Sequence, residues 1–156
     1  MFDKGIAIVT VTHRGVETAK KIQKALDLAK LNSTVYAPKK YSQNGVVAID
    51  KKLNDFTKDI YKTYDSIVAV MSTSITIRAV APLLDSKFND PAVIGVDASG
   101  KFVISLLAGQ LGGANDLTHI IAQGINAIPV ITTASDMLGK QSVNELAKNL
   151  HLKIEN

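Results

Sequence analysis

Residues 5–15 read GIAIVTVTHRG, an apolar and largely β-branched run from Gly5 to Val11 followed at once by the polar segment Thr12-His13-Arg14-Gly15. The run does not alternate polar with apolar residues, which is the pattern of a strand buried on both faces. Burial on both faces needs a cover on each side. Beyond the polar segment, Ala19, Ile22, Leu26 and Ala29 recur at helical spacing and predict a helix over about residues 17–31. The opening unit is therefore strand, polar loop, helix.

The same unit recurs outward along the chain. A second apolar run, Ser66 to Met71, meets Ser72-Thr73-Ser74 and turns helical from about Ile75 to Leu84, with Pro82 placed to end or kink that helix. Between the two units lie a short strand at 34–36 closed by Pro38, a weaker extended stretch at 45–48, and a helical pattern at 53–64. PAVIGVD and KFVISLL, joined through Ala98-Ser99-Gly100, predict a β-hairpin. AGQLGGAN then opens a helix, and IPVITT leads through ASDMLGK to a last helix at about 142–150. This alternation predicts an α/β fold, a mostly parallel sheet with helices on both faces in three layers. No linker or low-complexity run interrupts it, so residues 1–156 are expected to form a single domain, with a division into two lobes left open.

Composition narrows the function classes. Hydrophobic residues make up 46% and charged residues 21%, ordinary for a globular protein with a sizeable core. There is no cysteine, which excludes a disulfide framework and thiolate chemistry. Three widely spaced histidines fit no standard zinc spacing, so no metal site is expected. The first apolar run is too short to span a bilayer and lacks a signal-peptide pattern, which makes a soluble, cytoplasmic protein without membrane association the expectation. The net charge of +4 is carried by dispersed lysines, with four Phe, four Tyr and no Trp. Nucleic-acid binding through stacked aromatics beside a basic groove is not expected.

In an open α/β sheet the loops after the strands gather at the carboxyl edge, beside helix N-termini that favour anions. Four loops are expected there: Thr12–Gly15, Ser72–Ser74, Gly109–Asn115 and Thr132–Asp136. His13 and Arg14 are candidates for anion binding or proton transfer, against a surface-loop pair as the plain reading. Arg78, on a largely apolar helix start, is expected to pair with a ligand or a carboxylate rather than decorate the surface. Gly109, Gly112 and Gly113 can bring backbone close to a ligand, yet GQLGGAN is neither a dinucleotide fingerprint nor a Walker loop, and a tight turn before a helix is the favoured reading on chemistry alone. Asn115 serves equally as a helix cap, and Thr132, Thr133 and Asp136 as ligands or caps. His119 is expected to be structural. Nothing orders these residues into a nucleophilic triad.

Three blocks carry a resemblance. IRAVAPLLDSKFNDPAVIGVD (Ile77 to Asp97), FVISLLAGQLGGANDL (Phe102 to Leu117) and PVITTASD (Pro129 to Asp136), within the stretch from about Asp65 to Ala134, resemble the N-terminal region of the CbiG family in order and spacing. The resemblance implies an enzyme of anaerobic cobalamin biosynthesis that hydrolyses the ring-A δ-lactone of cobalt-precorrin-5A and releases acetaldehyde to give cobalt-precorrin-5B. No cofactor is implied, because the cobalt belongs to the tetrapyrrole substrate. The family block reads GHLGGAN, and Gln110 stands in the histidine's place. Glutamine donates hydrogen bonds but moves no protons near neutral pH. Typical members continue into a middle region and a C-terminal domain, both absent from these 156 residues, so a separate C-terminal domain or chain is an implied partner.

On this reading Arg14, Arg78 and the GQLGGAN loop bind substrate carboxylates, Thr132, Thr133 and Asp136 complete the pocket, and Gln110, Asp136 and His13 are the catalytic candidates. Backbone N–H groups at Gly112 and Gly113 are the candidate oxyanion donors. The runner-up is a non-catalytic corrinoid-binding or scaffolding domain that needs a partner for activity. A homo-oligomer stays open.

Overall fold

The run that opens the argument, Ile6–Thr10 (β1), is buried along its whole length, and its side chains divide by parity between two cores. Ile6 and Ile8 enter one core, while Ala7 and Val9 enter the other. Ser66–Val70 (β4) repeats the division, with Val68 and Val70 on the first side and Ile67 and Ala69 on the second. Each fully buried Ile or Val contributes about 1.5–3 kcal/mol relative to exposure. Two-sided strands of this kind place β1 and β4 at the centre of the sheet.

A computed structural model describes residues 1–134. Besides β1 and β4 it contains the strands Ser33–Pro38 (β2), Val46–Ile49 (β3), Ala92–Val96 (β5), Phe102–Leu107 (β6) and Ile128–Val130 (β7). They form one seven-stranded sheet in the order β3-β2-β1-β4-β5-β6-β7. The helices are His13–Leu28 (α1), Leu53–Tyr61 (α2), Thr73–Val80 (α3) and Ala114–Ile125 (α4). Buried residues of α1 and α4 (Ile22, Leu26, Leu117, Ile121) belong to the first core, and those of α2 and α3 (Ile60, Tyr61, Val80) to the second. The three-layer α/β expectation is met, with one sheet and no division into lobes among the described residues.

Local chemistry shifts two helix boundaries from their expected places. Thr12 has an extended backbone and its hydroxyl accepts from the Gly15 N–H at 3.0 Å, so α1 starts at His13 rather than near residue 17. Gly15 is required there, because a Cβ would sit 1.9 Å from the Thr10 hydroxyl. α3 stops at Val80, and Pro82 lies in the 3-10 turn Ala81–Leu83 that follows, since proline cannot continue the helix ladder. The last expected helix, at about 142–150, lies outside the described residues.

Strand direction decides what the sheet can build. β1 to β5 are mutually parallel. The hairpin reverses the chain, so β6 pairs antiparallel to β5, and β7 runs parallel to β6. A right-handed crossover between reversed strands must lie on the opposite face from α3, which is where α4 packs beside α1. Asp97 anchors the reversal. Its carboxylate accepts from the N–H groups of Lys101 at 2.9 Å and Phe102 at 2.7 Å, and from Ser99. Partial burial alone would raise the Asp97 pKa, but the hydrogen bonds from the Ser99 hydroxyl and from the N–H groups of Phe102, Lys101 and Ser99 outweigh it and hold the pKa below the usual carboxylate value. Thr18 of α1 donates to the Ala98 carbonyl at 2.6 Å and pins the same turn.

Candidate functional site

The reversal splits the expected site in two. The loops after β1 and β4 lie at the carboxyl edge of the parallel strands, whereas the loop after β6 and the described residues after β7 lie at the opposite, amino edge. The expectation of one polar edge holding all four loops is therefore corrected. The signal was present in the hairpin itself, since an antiparallel partner exchanges the ends of every later parallel strand.

At the carboxyl edge, α1 and α3 begin on either side of the β1/β4 boundary, where the chain's direction of travel across the sheet changes. His13 and Arg14 are exposed in the first turn of α1. The His13 ring stacks near the Tyr41 ring at 6.1 Å between centroids, and the Lys40 ammonium lies 4.9 Å from the Tyr41 ring centroid. The hydroxyls of Ser72 and Ser74 meet at 3.2 Å at the start of α3, and no side chain caps that helix. Arg78 differs from expectation. It is exposed in the last turn of α3, away from the start of that helix, and makes no ion pair among the described residues. The helical phase explains this: Thr76, Ala79 and Val80 take the buried side and turn Arg78 to solvent.

At the amino edge the glycine loop folds on itself. The Gly113 N–H donates to the Gln110 carbonyl at 3.3 Å, Ala114 to Ala108 at 3.2 Å, and Asn115 to Gly109 at 2.9 Å. These bonds occupy donors that the start of α4 would otherwise present to an anion. Gly113 is thereby corrected as an oxyanion donor, while the Gly112 N–H donates no hydrogen bond among the described residues. The glycines are spatially required: Gly113 has φ +82°, and a Cβ on Gly112 would lie 2.5 Å from that of Ala108.

Asn115 is only 3% exposed and ties three segments together. Its Oδ1 accepts from the Ser105 hydroxyl of β6 at 2.7 Å, and its amide nitrogen donates to the Thr133 hydroxyl at 3.2 Å. The bulk of its amide lies where a Cβ on Gly109 would be, at 2.7 Å. This arrangement brings Gly109, Gln110 and Thr133 into one cavity of about 230 Å³, together with Ala108, Leu111 and Lys87. Three of the expected residues, Gly109, Gln110 and Thr133, line this cavity, Asn115 holds Thr133 from behind it, and Thr132 is exposed just before Thr133. Asp136 lies outside the described residues. His119 is exposed on α4 and takes no part in either edge, so its expected structural role is not met. Lys87 was missed, because a lone lysine in a loop carries no motif.

Leu111 is shared with a larger neighbouring groove of about 790 Å³. Asp3, Asp65, Asp85, Asp90, Tyr61 and Phe88 line it. Among the described residues no group of three or more His, Cys, Asp or Glu is placed to hold a metal ion, and no helix is long and apolar enough to cross a membrane.

Comparison with known proteins places this geometry. The family model described as Cobalamin synthesis G N-terminal matches residues 55–136, more than half of the chain's 156 residues. The chain is 35% identical over 151 residues to a cobalt-precorrin-5A hydrolase of Salmonella typhimurium, covering 97% of this chain and 42% of that protein. A cobalt-precorrin-5A hydrolase of Priestia megaterium is 33% identical over 136 residues, covering 84% and 35%. The crystal structure of a cobalamin biosynthesis protein G homologue from Sulfolobus solfataricus superposes with a TM-score of 0.69 at 28% identity, covering 99% of this chain and 43% of that one. The chain spans less than half the length of each of these relatives.

Proposed function

The chain belongs to the cobalamin synthesis G N-terminal family, and from that premise we propose that it forms the N-terminal α/β part of a cobalt-precorrin-5A hydrolase. The observation that carries the proposal is similarity over 97% of the chain to a protein of that name, with matching fold. The reaction is hydrolysis of the ring-A δ-lactone, with loss of the two-carbon unit as acetaldehyde.

Hydrolysis places negative charge on the lactone carbonyl oxygen as water adds, and a donor aimed at that oxygen lowers the barrier. In the small amino-edge cavity, the Gln110 side chain and the Lys87 ammonium are the donors, and Asn115 positions the Thr133 hydroxyl beside them. Gln110 orients and does not transfer protons. The proton acceptor is Asp136 or a group from the part of the family polypeptide that this chain does not span. His13 lies at the other edge of the sheet and does not act on the same atom. Arg14 beside it supplies a separate cationic group suited to carboxylates, the groups that rim the tetrapyrrole. Cleavage of the carbon–carbon bond that frees acetaldehyde follows ring opening, when the exposed alcohol gives up its proton and the electron pair passes to the macrocycle.

The test mixes cobalt-precorrin-5A with the chain, alone and with the remaining portion of the Salmonella relative, and measures acetaldehyde while following the corrinoid spectrum. Release that depends on the chain and falls at least tenfold in Lys87→Ala supports the assignment. A spectral shift without release in either mixture identifies a corrinoid-binding domain instead. The absence of both ends the functional reading for this chain.

A further inference from the structure

The larger groove at the amino edge is poorly matched to a carboxylate-rimmed substrate. Asp3, Asp65, Asp85 and Asp90 line it, against Lys4 and Lys62 and the N-terminal ammonium, which lies 3.9 Å from Asp3. Like charge repels such a ligand and draws a cationic one. Phe88 stands 67% exposed at the rim, an apolar exposure that costs free energy when nothing covers it.

Inside the groove, Tyr61 is 4% exposed, and its hydroxyl lies beside Asp90 without closing a well-formed hydrogen bond to it. A buried phenolic O–H paired this poorly is destabilising, and native proteins seldom leave one in that state. Burial raises the Tyr61 pKa, and Asp90 and then Asp85 nearby add to the effect, so the phenol keeps its proton at neutral pH. β7 runs toward this same edge, and Asn115 holds Thr133 at the small cavity that shares Leu111 with the groove. The relatives carry more than half of their length outside the matched region.

We propose that this acidic, aromatic groove is the docking surface for the portion of the family polypeptide lying beyond the region matched here, which inserts a basic side chain among the aspartates and pairs with the Tyr61 hydroxyl. The surface joins the groove to the small cavity through Leu111, so docking also closes the side of the cavity holding Gln110. The inference rests on the family assignment but not on turnover, because its readout is complex formation.

The experiment uses this chain and, as probe, the part of the Salmonella cobalt-precorrin-5A hydrolase outside the matched region, produced as a separate chain. Calorimetry and sedimentation are expected to show a one-to-one complex that weakens as salt is raised. Asp3→Lys combined with Asp85→Lys is expected to weaken it at least tenfold, and Glu17→Lys, exposed on α1, to leave it unchanged. Phe88→Ala, a rim change that does not disturb the fold, is expected to weaken it severalfold. Tyr61→Phe separates docking from folding: the free chain stays at least as stable, while the complex weakens about tenfold. No complex, or one indifferent to the aspartate reversals, overturns the proposal. So does a homodimer abolished by the same reversals, because the groove would then belong to a second copy.

Discussion

Truncation of Asn115 tests the amino-edge site most directly. Asn115→Ala removes the bond from Ser105 at 2.7 Å and the bond to Thr133 at 3.2 Å. Each net hydrogen bond is worth about 1 kcal/mol. Ser105 and Thr133 are only partly buried, so water can re-satisfy both hydroxyls and the larger penalty for an orphaned buried group does not apply. The void left beside Gly109 adds about 1 kcal/mol at most, giving a loss of roughly 2–3 kcal/mol. For a domain of this size that lowers Tm by roughly 5–10 °C. Thr133→Val removes only one of the two bonds and is expected to cost about 1 kcal/mol. Because that bond is counted in both single variants, the double variant is expected to fall short of their sum by about 1 kcal/mol. Urea unfolding of the four proteins reads all three quantities. Additivity within about 0.3 kcal/mol refutes the claim that Asn115 holds Thr133 at the cavity.

Three further outcomes follow from other residues. Gly113→Ala forces an L-residue to φ +82° against Phe2, 3.0 Å from the new Cβ, and is expected to cost roughly 2–3 kcal/mol in urea unfolding; an unchanged midpoint contradicts the loop geometry. Asp97 has a lowered pKa in the folded chain, so its contribution is complete above the ordinary carboxylate value of 3.8 and is lost as pH falls through its folded pKa. Wild type is therefore expected to lose more stability than Asp97→Asn between about pH 5 and pH 2, and parallel acid-unfolding curves refute the assignment. Gln110→His adds a group that titrates near neutrality, and the acetaldehyde assay is expected to gain a pH limb near 6–7. A pH profile identical to wild type shows that the side chain at 110 only donates hydrogen bonds.

Much of the fold was legible in the sequence because it is encoded locally. An uninterrupted apolar run such as Gly5–Val11 can be satisfied only between two layers, and the helical spacing of Ala19, Ile22 and Leu26 supplies one of them. The Ala98-Ser99-Gly100 turn marked the hairpin, and Pro82 marked a helix end. The boundary of α1 was misplaced because capping by Thr12 depends on one side-chain rotamer, to which hydrophobic periodicity is blind. The resemblance in three blocks identified the family from residues alone, and the comparisons support it.

The site was only partly legible, and the reason is direction. Sequence order puts His13, Arg14, Arg78 and the GQLGGAN loop in equivalent places, each following a strand. Only the assembled sheet shows that β6 and β7 run against β1 and β4 and carry their loops to the far edge. Arg78 lost its expected standing for the same kind of reason: exposure depends on which helix face meets the sheet, and that is settled by packing across layers. The sequence by itself determined the elements, the two-sided core and the family, all properties of local pattern. Tertiary structure alone decided which polar groups share an edge, because proximity between residues far apart in the chain depends on strand direction and order, and neither is written in any single segment.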